Sequence, residues 1–175
     1  MTEKTISASI RINERVYSAL QKEAKERDES LNTLVNQIFR FETEFGVPAR
    51  KVGTQAISRS TYKELIEALD DGEIAAVGAR SGVNAPKSFI ESKLGEINLH
   101  TVLDFLRVTA IYGKCWDYSE TIHGDTITLV LNHTLGRKYS IFTSNYVTSL
   151  FSSIHVEAKT SMSESSVIVE LPVSE

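Results

Sequence analysis

The chain has 175 residues, 41% of them hydrophobic and 24% charged, with a formal net charge of −4, the profile of a soluble globular protein of one or two domains. No run approaches the roughly 18 consecutive apolar residues of a membrane-spanning helix, and the N-terminus lacks an apolar signal core after its basic residue. The single cysteine, Cys115, excludes an internal disulfide and gives no zinc-finger spacing, so a cytoplasmic protein is expected, with no membrane partner.

Residues 6–12 alternate. Ile6, Ala8, Ile10 and Ile12 fall on one face of a short strand, and Ser7, Ser9 and Arg11 on the other. At Asn13, a favourable N-cap, the period changes from two to 3.6, and Val16, Leu20 and Ala24 form the stripe of a first helix that ends near Arg27 to Glu29. Ser30 can cap a second helix, in which Leu31, Leu34, Val35, Ile38 and Phe39 recur on one face; Gly46 and Pro48 are expected to stop it.

One strand and two helices of this size bury too little apolar surface to offset chain entropy alone. Pairing residues 6–12 antiparallel with a second copy would give the lone strand ladder partners and close one shared core over its isoleucines. The opposite face of that two-stranded ribbon would carry Ser7, Ser9 and Arg11 twice. A ribbon of this kind fits the DNA major groove, where Arg can make a bidentate contact to guanine and Ser hydroxyls can donate or accept.

The run Ser7-Ala8-Ser9-Ile10-Arg11-Ile12-Asn13-Glu14-Arg15-Val16, followed by Ser30-Leu31-Asn32-Thr33-Leu34-Val35, resembles the ribbon-helix-helix family of the Arc and MetJ repressors. The resemblance covers about the first quarter of the chain. It implies that Ser7, Ser9 and Arg11 read bases and that Ser30, Leu31, Asn32 and Thr33, at the start of the second helix, bind a DNA phosphate. Helix termini suit that role independently, because their unpaired N–H groups and positive dipole end favour an anion. No glycine marks the turn between the helices, where Arg27-Asp28-Glu29 stands.

Charge is unevenly distributed. Residues 1–51 hold nine basic and eight acidic side chains, whereas residues 52–175 hold ten and fifteen. A near-neutral N-terminal unit implies modest nonspecific DNA affinity concentrated in a few phosphate contacts.

The expected organisation is a ribbon-helix-helix unit over 1–46, a hinge over 47–54 and an α+β domain over 55–175. In the last, a short strand is expected at 55–59, then a helix capped by Ser60 or Thr61 and running through Leu69 with Tyr62, Leu65 and Ile66 on its apolar face. Asp70-Asp71 reads as a helix terminus. Two short helices follow, 73–77 and 88–94, broken by Gly82 and Pro86. Asn98 caps a stronger helix with Leu99, Val102, Leu103, Leu106 and Ala110 on one stripe, ended by Gly113. Strands are expected over 114–121 and 126–132 around His123-Gly124-Asp125, then a helix over about 136–154 and strands over 156–160 and 167–171, joined by the Ser-rich run 161–166. The hairpin-helix-hairpin order lets one long helix pack over a four-stranded antiparallel sheet. It is loosely similar in element order to vinyl-reductase-like sensing domains.

Asn132-His133-Thr134-Leu135-Gly136-Arg137-Lys138 carries a strand into a helix beside a histidine and two cations, which nominates His133, Arg137 and Lys138 as a candidate anion site. Trp116 and Tyr118, with Phe142 or Tyr146, suit core packing better than a ligand pocket. His100, His123, His133 and His155 have no metal-site spacing, so no metal and no cofactor is expected. No Gly-rich phosphate loop, nucleophile motif or carboxylate pair nominates a catalytic residue, and an enzyme is not expected.

These features predict a sequence-specific DNA-binding transcriptional regulator. Its partners would be double-stranded DNA and a second copy of the chain, with a dimer of dimers as the larger assembly and a small-molecule or protein effector at the C-terminal domain. The alternatives are an antitoxin of a toxin-antitoxin pair, and a dimerising interaction module that binds no DNA.

Overall fold

Polar side chains fix where the helices begin. Asn13 Oδ1 accepts the Val16 N–H at 3.2 Å and opens α1 (Glu14–Glu26); Ser30 Oγ accepts the Thr33 N–H at 3.0 Å and opens α2 (Leu31–Phe41). Both caps fall where the sequence places them. The computed structural model describes residues 5–173, which divide into two compact units, the first ending at Glu42 and the second beginning at Thr43. In the first unit Ala24 and Leu34 are the buried apolar side chains. Residues 5–13 form neither helix nor strand in the single chain. The strand expected over 6–12 is thus absent from the monomer, as ladder chemistry requires of a lone segment with no neighbour to bond.

The turn between α1 and α2 is closed without glycine. Asp28 takes the left-handed conformation at φ 54°, and the Glu29 N–H reaches back to the Ala24 carbonyl at 3.0 Å. Asp is among the few residues that visit this region with modest cost.

Gly46 and Pro48 do not stop the second helix. Helical backbone continues from α2 through a π-helical turn, Glu42–Gly46, into α3 (Val47–Lys51). Gly46 adopts the helical φ −58° and ψ −50°, and Pro48 follows the π-helical turn in the first turn of α3. Most of the expected hinge over 47–54 is therefore helical. The strand expected at 55–59 is also absent; Ser58, rather than Ser60 or Thr61, caps α4 (Arg59–Glu67) through its Oγ and the Thr61 N–H.

The two short helices expected around 73–94 are one. α5 (Asp71–Lys93) runs 23 residues, and Asp70, rather than ending a helix, starts it with a capping box: its carboxylate accepts the Glu73 N–H at 2.8 Å while Glu73 Oε2 accepts the Asp70 N–H at 2.9 Å. Gly78 and Gly82 lie within it as packing positions, and Pro86 is accommodated, buried, in its second half. Asn98 and Thr101 form a second capping box for α6 (Leu99–Val108), which extends through a π-turn to Gly113.

The C-terminal part follows the expected order. β1 (Asp117–His123) and β2 (Thr126–Asn132) form a hairpin around Gly124-Asp125, with Gly124 at φ 58°; α7 (Arg137–Ser152) follows, then β3 (Lys159–Met162) and β4 (Ser166–Pro172). The antiparallel sheet has the order β1-β2-β4-β3, so β4 returns to the centre beside β2, pairing Leu129 with Val169 and Leu131 with Val167. Ile127, Leu129 and Leu131 with Val167, Val169 and Leu171 form its buried face. α7 packs on this sheet and α5 packs on α7. The molecule is thus α+β, and among the described residues no helix is long and apolar enough to cross a membrane.

Candidate functional site

Ser7, Ser9 and Arg11 are exposed along the irregular segment ahead of α1. The alternating apolar side chains between them are exposed too: Ile6 is 87% and Ile10 56% accessible, and Val16 and Ile38 on the two helices are 49% and 40% accessible. The sequence face expected to close a core is therefore open to solvent in the single chain. At the start of α2, Ser30 Oγ holds the Thr33 N–H and lies 2.8 Å from Thr33 Oγ1. Helix geometry leaves the Leu31 and Asn32 N–H groups without an intrahelical acceptor. Asn32 and Thr33 are exposed beside them, so this terminus can present N–H groups and a hydroxyl to an anion.

His133, Arg137 and Lys138 do not converge. His133 is buried, with Nε2 2.9 Å from Ser140 Oγ and its ring edge-on to Tyr139 at 4.8 Å. Burial lowers its pKa below the ordinary 6.5 and favours the neutral imidazole. Arg137 pairs with Asp71 at 2.7 Å. Lys138 Nζ donates to the Glu67 and Leu69 carbonyls, neutralising the negative end of α4. Each cation thus ties α7 to the α4–α5 segment.

The aromatic residues are core. Trp116 packs on Tyr146 at 6.4 Å, and Tyr139, Phe142 and Tyr146 stack in succession along α7 at 5.8 Å spacings. Burial raises the pKa of Tyr62 to about 12 and pushes those of Tyr139 and Tyr146 up, so these phenols stay neutral at physiological pH. Cys115 is pushed up as well, chiefly by burial, and is a poor thiolate. Trp116 Nε1 is buried with no hydrogen-bond acceptor among the described residues, a polar atom that the core leaves unsatisfied. No group of three or more His, Cys, Asp or Glu side chains among the described residues is arranged to hold a metal ion.

Tyr118 belongs to a network that sequence pattern does not reveal. Arg107 of α6 grips Glu120 of β1 through Nε at 3.1 Å and Nη2 at 2.8 Å, while the Tyr118 hydroxyl donates to the same carboxylate at 2.6 Å. Arg107 also pairs with Asp104, and His100 lies 3.4 Å from that carboxylate's other oxygen. Burial alone would raise the pKa of Glu120; the Tyr118 and Arg107 hydrogen bonds outweigh it and hold the carboxyl below its usual value. Its one sequence signal is the alternation of Tyr118 and Glu120 on the inward face of β1, and the pairing with Arg107 emerges only when α6 and β1 meet.

No protein-family model, no curated protein and no solved structure matches this chain.

Proposed function

We propose that this protein is a dimeric, sequence-specific DNA-binding transcriptional regulator in which residues 6–12 of two chains pair as an antiparallel ribbon. The observation that carries this reading is the open apolar face of that segment, with Ile6 and Ile10 well exposed in the single chain directly ahead of two capped helices. An alternating segment that leaves isoleucines in water is explained by a second copy that covers them. Covering them turns Ser7, Ser9 and Arg11 outward in register, a spacing suited to base edges in a major groove. The α2 N-terminus with Ser30, Leu31, Asn32 and Thr33 then supplies the phosphate contact that fixes the ribbon's depth.

Residues 43–175 act as the effector and assembly unit. Their own hydrophobic core and four-stranded sheet favour this role over that of an antitoxin's neutralising tail, since such tails are usually disordered until bound. Selection of DNA from a random pool by the purified full-length protein tests the proposal. It predicts an enriched, pseudo-palindromic site whose binding weakens steeply with salt. Recovery of no enriched sequence would leave only the dimerising module.

A further inference from the structure

The second unit contains a cleft of about 700 Å³ between the second half of α5, the start of α6 and the end of α7. Val83, Lys87 and Ile90 face it from α5 at spacings of four and three, one stripe of a continuous helix. Ile97 and Leu99 form one wall, and Leu150 and Val156 the other. The volume lies within the range of small-molecule sites, which combine apolar walls with a few polar groups at defined places.

The polar side chains that line this cleft are Lys87, Asn98, Ser153 and His155. Lys87 is exposed at its edge and has no salt-bridge partner among the described residues. His155 also lines the cleft, at φ 60°, a left-handed conformation in which glycine would be strain-free. Carbonyls in the last turn of α7 beside it accept local hydrogen bonds. Ser153 Oγ donates to the Leu150 carbonyl at 2.7 Å, and the His155 and Val156 N–H groups bond the Ser152 and Phe151 carbonyls. Among the described residues no Asp or Glu lines the cleft.

We propose that this cleft binds an organic carboxylate with an apolar body, the carboxylate at Lys87 and His155 and the body between the α5, α6 and α7 walls. Charge decides the head group, because Lys87 and the imidazole of His155 line the same cleft and no carboxylate among the described residues does, which favours an anion over a neutral or cationic head. Wall chemistry decides the tail. The aliphatic side chains offer dispersion contact and no acceptor for a polar chain. The assignment deepens the effector role proposed for residues 43–175 and rests on it. Its test contains no DNA, so failure here and failure of DNA binding are separately visible.

Isothermal titration of the full-length protein with octanoate, 1-octanol and octylammonium tests it. The expected result is saturable one-to-one binding of octanoate, at least about tenfold weaker binding of octanol and none of octylammonium. Lys87→Ala should weaken octanoate about tenfold. His155→Gly, which relieves the left-handed strain and should fold at least as well, should weaken it severalfold. Ile97→Arg, filling the wall, should abolish binding. Absence of saturable octanoate binding by the wild type, or equal affinity for octanoate in wild type and the Lys87→Ala/His155→Gly double variant, would overturn the assignment.

Discussion

Gly82 of α5 lies against the carbonyl of Tyr146 of α7 so closely that a Cβ built at residue 82 would sit 2.1 Å from that oxygen. One turn earlier the same holds for Gly78 and the Phe142 carbonyl, at 2.4 Å. Two glycines four residues apart thus let the backbones of α5 and α7 meet without side chains between them. This crossing joins α5 to the helix that covers the sheet.

Replacing Gly82 with Ala therefore sets two effects against each other. Helix propensity gains about 1 kcal/mol, while forcing apart two packed backbones costs more than the usual 1–3 kcal/mol of overpacking, because the obstructing atom is a carbonyl that cannot rotate away. A net loss of about 2 kcal/mol or more is expected in urea unfolding, whereas Ala76→Gly on the exposed face should lose about 1 kcal/mol through propensity alone. Stabilisation by Gly82→Ala would contradict the close crossing.

Asp28 offers a test of the opposite sign. Because it holds a left-handed φ of 54° between α1 and α2, Asp28→Gly should stabilise the first unit by about 0.5–1 kcal/mol. Thermal unfolding followed by helical circular dichroism reads this shift.

Two acid-sensitive groups should separate along the pH axis. His133 is held neutral by burial, so the unfolded chain binds its proton more readily; the stability this contributes is complete above about 6.5 and is lost as pH falls below that value. Glu120 is held ionised, so its contribution is complete above its ordinary 4.5 and fades as pH falls through its lower folded value. His133→Gln, which can still bond Ser140, should flatten the stability curve just below pH 6.5 and leave the lower acid limb in place.

Arg107→Ala should move that lower limb instead. Its guanidinium is about a third exposed, which screens the pair. Loss of a two-point grip on Glu120 should still cost about 1–2 kcal/mol at neutral pH, with a smaller penalty in acid where Glu120 is protonated. An equal penalty at both pH values would show that Arg107 acts by packing alone.

In the DNA-binding account, Arg11→Ala should cost about 1–3 kcal/mol of specific affinity without dissolving the dimer. A gel-shift titration on the selected site measures it. Equal affinity of the two proteins would remove Arg11 from base reading.

Local chemistry made much of this fold legible. Asn13, Ser30 and Asn98 announce their helices because a short polar side chain at a change of period has one good use, and the β1–β2 and β3–β4 hairpins show plainly as alternation broken by turn residues. The departure inside α5 has a tertiary cause. Gly82 suggests a helix break on intrinsic preference, yet tertiary contact overrides preference where a small residue allows another backbone to approach, here the Tyr146 carbonyl of α7. The Gly78/Gly82 spacing and the Asp70/Glu73 box were the signals of a single long α5. The cleft is not visible in the sequence pattern, since Val83, Lys87 and Ile90 share a face only on an unbroken helix. Dispersal of His133, Arg137 and Lys138 to separate partners follows from α4 and α5 packing near α7, which adjacency in sequence does not disclose.

Sedimentation equilibrium of wild type and Ile10→Glu tests the shared ribbon most directly. The wild type should run at twice the mass of the 19.5 kDa chain, and Ile10→Glu at the mass of one chain, with the sheet and helices of residues 43–175 still folded by circular dichroism. A monomeric wild type, or an Ile10→Glu protein that remains dimeric, would contradict the account.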